Sequence, residues 1–182
     1  MKYWSRSALS IYRYLEIMSK SIDKIVVDTG KVSHNKELSK YQTTYCQTNK
    51  MINLMDRKRK LINLKVVIED GLAKITKESR RILTLFYIDG ITATLIAQLL
   101  GISIRTFFRQ KTKALNEFCV MLEDLGYGKQ FFETNYLGES WFEVIYNQMT
   151  QTSYEEDSLN EAFVRKILGD IGKVPVFCNT YV

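Results

Sequence analysis

The stretch ITATLIAQLLGISIRTFFRQKTKALNEFCVML, residues 91 to 122, decides how the chain is read. Leu95, Ile96, Leu99 and Leu100 recur at helical spacing on one face, and the small Ala97 lets a second helix come close. Gly101 follows as the residue that adopts the left-handed helix stop at least cost, and Ser103 is a natural N-cap for another helix. That helix, predicted over 103–118, has Ile104, Phe107, Phe108, Ala114, Leu115 and Phe118 on its apolar side and Arg105, Thr106, Arg109, Gln110 and Lys113 outward. An apolar-backed helix with an Arg/Thr/Gln/Lys face, held across a short turn from a supporting helix, is the layout of a helix-turn-helix reader of DNA.

The longer segment LTLFYIDGITATLIAQLLGISIRTFFRQKTKAL resembles region 4 of bacterial sigma factors. The resemblance rests on the break from Tyr87 to Gly90, on Ile96-Ala97, on Leu100-Gly-Ile-Ser103 and on Lys113-Ala-Leu115, and spans residues 76 to 118. No counterpart of sigma region 2 precedes it. The chain as a whole is more similar to small phage-type transcriptional regulators, in which a helix, a polar loop and a long charged helix come before such a domain. It departs from the sigma pattern at Gln110 and Lys111, which are polar where that pattern has an apolar core residue. The resemblance implies a regulator that binds double-stranded DNA, with RNA polymerase as a possible second partner.

Outside this segment, 182 residues with 46% hydrophobic and 12% aromatic content suit a folded chain, and a single Pro favours long helices over a turn-rich β fold. The expected class is all-α: a helical amino-terminal region with a long helix, the sigma region 4-like helix-turn-helix, and a helical carboxyl-terminal extension. Boundaries fall at 1–75, with a polar loop at 28–44, then 76–125 and 129–182. The first region opens with a helix over residues 3 to 27 that is expected to bury Trp4, Leu9, Ile11, Tyr12, Leu15, Ile22, Ile25 and Val26. A helix over 45 to 74 follows, with Met51, Ile52, Leu54, Met55, Leu61, Ile62, Leu64, Val67, Ile68 and Leu72 at three- and four-residue steps, and with Gly71 interrupting or ending it. This heptad-like stripe needs the first helix folded back, or a second subunit, as its partner. Thr76 then caps a third helix that stops at Asp89-Gly90. Gly126 and Gly128 mark the next boundary, and Ser158-x-x-Glu161 reads as a capping box.

Charge is unevenly distributed. Residues 1–122 carry 22 Lys and Arg against 10 Asp and Glu, or +12, whereas residues 123–182 carry 4 against 10, or −6. A basic front fits a polyanion partner, and an acidic back is expected to face away from it. Arg105, Thr106, Arg109 and Gln110 are the candidates for base edges, because Arg pairs with guanine and Gln with adenine through two hydrogen bonds. Lys111, Lys113 and the run Arg57-Lys58-Arg59-Lys60 are the candidates for phosphates. Self-association as a homodimer is expected through the helix at 45–74, or through the aromatic segment around Trp141 and Phe142.

Other chemistry is not encoded in any motif. There is no glycine-rich phosphate loop, paired-His metal site or nucleophile elbow, so neither an enzyme nor a cofactor or metal is expected. Cys46, Cys119 and Cys178 are far apart and odd in number, which argues against a disulfide framework. No apolar run approaches a membrane span and the amino terminus lacks a signal-peptide core, so a cytoplasmic protein without membrane contact is expected. Besides DNA reading, the sequence leaves a second class open: a polymerase-docking sigma-like factor, or a protein interaction module with no DNA reading of its own.

Overall fold

A computed structural model describes residues 3–34, 44–151 and 161–173. Every regular element among them is helical: α1 (Tyr3–His34), α2 (Thr44–Lys74), α3 (Lys77–Leu83) running on into a π-helical turn (Thr84–Ile88), α4 (Ala93–Leu100), α5 (Ile104–Asp124), α6 (Lys129–Asn135), α7 (Ser140–Gln151) and α8 (Glu161–Asp170). The fold is therefore all-α, as the sequence predicts.

α1 and α2 form an antiparallel hairpin. Trp4, Ala8, Ile11, Leu15, Met18 and Ile22 step along α1 at alternating four- and three-residue intervals, which keeps one stripe on the partner helix, and all are buried. Leu54, Leu61, Leu64, Ile68 and Leu72 answer them from α2. Two polar ties fix the register: the Tyr12 hydroxyl donates to Glu69 Oε1 at 2.6 Å, and Lys58 Nζ meets Asp23 Oδ1 at 2.6 Å. The polar stretch from Asp28 does not begin as a loop. It continues α1 to His34, with the Thr29 hydroxyl bonded back to the Ile25 carbonyl at 2.8 Å, because one glycine, Gly30, costs a helix only about 1 kcal/mol. The rest of the expected loop, 35–43, lies outside the described residues, as do the capping-box serine at 158, the segment 174–182 and Cys178.

Gly71 neither interrupts nor ends α2. A Cβ built there lies 2.7 Å from both Leu122 Cδ2 and Phe118 Cε2, so the missing side chain is what lets α5 cross α2. The second half of α5, which runs six residues beyond the predicted 118, thus enters the main core with Ala114, Leu115, Phe118, Cys119 and Leu122. It stops at Gly126, whose φ of +85° closes the helix while the Tyr127 N–H reaches the Leu122 carbonyl at 2.7 Å.

The carboxyl-terminal region does not form a unit of its own. Phe132, Tyr136, Trp141, Phe142, Ile145 and Met149 are buried in the same core as the hairpin, and Phe132 stacks on Trp4 with ring centroids 4.8 Å apart. Buried Arg6 donates to the Met149 carbonyl at 3.0 Å. Trp141 and Phe142 are consequently interior residues and cannot serve as a subunit contact. Cys119 is a buried thiol, but Cys46 is disulfide-bonded, contrary to the sequence expectation, and its partner lies outside the described residues.

Two consequences can be measured. Ala at position 71 sets a gain in helix propensity against crowding, so Leu is the clearer probe; Gly71→Leu overpacks the α2–α5 crossing and is expected to cost at least about 1–3 kcal/mol in denaturant unfolding. Glu139 sits between Arg57 and Lys60; burial pushes its carboxyl up, but the Lys60 and Arg57 bonds and charges outweigh burial and hold it below the ordinary 4.5. A carboxylate depressed in the folded state stabilises fully above its unfolded value and loses that contribution as pH falls through the folded one. Unfolding free energy should therefore decline below pH 4.5, and Glu139→Gln should start lower at pH 7 and decline less steeply.

Candidate nucleic-acid interface

The corner made by α3, the π-helical turn, α4 and the first half of α5 has a small core of its own, with Ile82, Ile96, Ala97 and Phe107 buried. Four such side chains, at roughly 1.5–3 kcal/mol each for the larger ones, make a thin core for this many residues. Capping geometry does much of the rest. Gly101 takes φ +65°, the Ile102 N–H reaches the Ala97 carbonyl at 3.0 Å and the Gly101 N–H reaches that of Gln98 at 3.1 Å, the paired bonds of a Schellman stop. Ser103 then caps α5, its hydroxyl accepting the Thr106 N–H at 3.1 Å. Both turn residues act as the sequence predicts.

At the start of α3 the cap differs from the prediction. The Thr76 hydroxyl donates to Glu117 Oε2 at 3.1 Å, the Thr76 N–H donates to Glu117 Oε1 at 2.7 Å, and the Ser79 hydroxyl donates to the same carboxylate. An acid from α5 therefore holds the Thr76 N–H and the Thr76 and Ser79 hydroxyls at the amino-terminal end of α3, where its charge favours the helix dipole, and ties the two helices together. Burial alone raises the Glu117 carboxyl, yet the Ser79 and Thr76 bonds and the nearby Lys113 charge hold it below its ordinary value.

Lys111 is not on the outer face. It is 0% exposed, with Nζ 4.2 Å from the Phe86 ring centroid and 5.4 Å from that of Phe108. The position where the sigma pattern has an apolar residue is thus filled by a lysine stem under two aromatic faces, a cation–π contact of about 2 kcal/mol when desolvated. Phe86 comes from the π-helical turn and packs against both cores, so this contact ties the corner to the rest of the molecule. Aromatics on the preceding helix with a lysine at a core register were the available signal. A phosphate contact by Lys111 is overturned.

The run at 57–60 is likewise engaged within the fold. Arg57 is buried; its Nε bonds Glu139 Oε2 at 3.0 Å and its Nη1 bonds the Ile171 carbonyl at 2.6 Å. Lys58 pairs with Asp23, Arg59 with Asp56 at 3.1 Å, and Lys60 with Glu139 Oε1 at 2.6 Å. Arg57 is unavailable to a phosphate, and the other three each have an acidic partner, although Lys60 shares Glu139 with Arg57 and the Arg59–Asp56 pair is exposed.

What remains outward is a short basic face on α5. Arg105, Arg109 and Lys113 are exposed, Thr106 is half-buried and bonded to Ser103, and Gln110 is half-buried along a groove. That groove, of 1140 Å³, lies between α3 and α5 with Ile82, Leu100, Ile102 and Met121 among its apolar walls and Lys77, Arg81 and Lys113 on its rim. Beside it the expectations for α4 need revision. Ile96 and Ala97 face inward, but Leu95 and Leu99 are exposed, as is Ile104, because an eight-residue helix on so small a core buries only one of its two apolar edges. Among the described residues no cluster of His, Cys, Asp or Glu is arranged to hold a metal, and no helix is long and apolar enough to cross a membrane. No family model, curated protein or solved structure matches the chain.

The placement of Lys111 separates structure from contact. Lys111→Ala should cost roughly 2–5 kcal/mol, as for other long buried side chains, whereas Lys111→Met, which keeps the volume and loses only the charge contacts, should cost less than Lys111→Ala. If Lys111→Met instead leaves stability unchanged but reduces the salt dependence of DNA binding, the side chain does reach phosphate.

Proposed function

We propose that the protein is a sequence-specific DNA-binding transcription regulator of the sigma region 4-like helix-turn-helix kind, with α5 entering the major groove and α4 supporting it. One observation carries this reading. From Ile91 to Asn116 there is no acidic residue, and among the described residues neither Arg105 nor Arg109 is held in an ion pair, while every cation of the 57–60 run is. Exposed arginines on the first turns of a helix that is capped at its start and anchored at its end are what base reading requires. Arg105 and Arg109 are assigned to base edges, Gln110 to an adjacent base and Lys113 to phosphate. Thr106, engaged by the cap, contributes through the orientation of the helix.

The rival reading is docking to RNA polymerase or another protein without DNA reading. The exposed Leu95, Leu99 and Ile104 beside the basic face are the observation in its favour, since neighbouring exposed apolar side chains mark a protein contact.

Binding measured on a panel of DNA sequences distinguishes the two. Arg109→Ala is expected to lose about 1–3 kcal/mol on the preferred site and to relax discrimination at one base pair, and Lys113→Ala to weaken all sequences alike while reducing the salt slope by about 0.9. Equal loss on every sequence by Arg109→Ala removes the base-reading role, and a parent protein whose DNA affinity shows no salt slope leaves the docking reading in its place.

A further inference from the structure

α2 is apolar on two sides. Opposite the stripe that faces α1, Ile52, Met55, Ile62 and Val66 stand between 48 and 53% exposed, and Tyr45 is 68% exposed. They are not scattered: 45, 52, 59 and 66 share one heptad position and 48, 55, 62 and 69 the other, so the exposed residues form a coiled-coil seam about 32 Å long on one face. Only Arg59 breaks its apolar centre. Arg59 is paired with Asp56 one turn away at 3.1 Å, and both are largely exposed.

We propose that this face binds the same face of a second copy of the chain, antiparallel, about a two-fold axis at the 56–59 turn of α2. The charges select this occupant. A parallel pair sets Arg59 against Arg59, which is repulsive, whereas the antiparallel pair brings two Arg59 and two Asp56 together as a net-neutral cluster at the axis. On either side of that cluster Ile52 of one copy meets Ile62 of the other, and Val66 meets Thr48. A seam of three heptads is at the small end of specific interfaces, which bury about 800 Å² per partner, so association is set in the micromolar range. This inference does not rest on DNA reading and is tested without DNA.

Sedimentation equilibrium of the full chain at 1 to 100 µM, an interval set around the micromolar constant, is expected to give a monomer–dimer equilibrium. Arg59→Glu, which puts four like charges at the axis, should raise the dissociation constant at least about tenfold, and the swap Asp56→Lys with Arg59→Glu should restore it. Because these side chains are exposed, circular dichroism should show all variants folded; Ile62→Lys is the second probe should Arg59→Glu unfold. A monomer throughout the interval, or a dimer untouched by both Arg59→Glu and Ile62→Lys, overturns the proposal. A dimer weakened by Arg59→Glu and not rescued by the swap assigns the contact to a different geometry and overturns the antiparallel arrangement.

Discussion

The crossing of α2 and α5 at Gly71 is the contact on which the rest depends. α5 belongs to two cores at once: Phe107 to the small core of the corner, and Leu115, Phe118 and Leu122 to the main one. With a side chain at 71 the helix is pushed outward, and its first half loses the fixed base from which Arg105 and Arg109 are presented. Phe86 and Lys111 provide a second link at the other side of the helix, and Glu117 a third by capping α3. Each contact constrains the same rigid rod, so small differences at the anchored end set the direction of the exposed end.

Part of the charge asymmetry of the sequence is taken up inside the fold. Within the fold, Glu139 of the acidic carboxyl-terminal part sits under Arg57 and Lys60, and the Ile171 carbonyl completes the Arg57 site. Removing a buried guanidinium partner in such a site is costly because the remaining carboxylate keeps its desolvation penalty. From the acidic segment, Glu139 alone takes up Arg57 and Lys60, while Lys58 and Arg59 find Asp23 and Asp56 within the hairpin.

How much of this was legible depends on the kind of signal. The helices followed from periodicity, and Gly101 and Ser103 predicted their turn because left-handed backbone and N-capping are local properties. Lys111 and Arg57 were misplaced because residue type reads them as surface charges; for Lys111 the core register was a signal against that, whereas for Arg57 only the approach of Glu139, distant in sequence, reveals burial. Leu95 and Leu99 were misplaced for a related reason. On α4 the pairs 95/99 and 96/100 are both at i, i+4 spacing, and which edge faces the core is decided by α3 and α5. Gly71 reads locally as a helix breaker, while its role comes entirely from Phe118 and Leu122.

The apolar residues of α2 were legible as a long heptad-like pattern, but the sequence could not divide them between a hairpin partner and a second subunit. The fold makes that division: Leu54, Leu61, Leu64 and Ile68 go to the interior, and Ile52, Met55, Ile62 and Val66 are left outside. A two-fold axis at the 56–59 turn is about 20 Å along the helix from Gly71, so the two α2–α5 crossings of a dimer lie about 40 Å apart. Helix-turn-helix dimers place their reading helices about 34–36 Å apart, one turn of the duplex. The crossings are not the reading residues, and the direction of α5 from each crossing adjusts that separation. The agreement is one of scale: if α5 reads DNA as proposed, a dimer through the proposed seam of α2 leaves the basic face of α5 available to it, because the two lie on different helices.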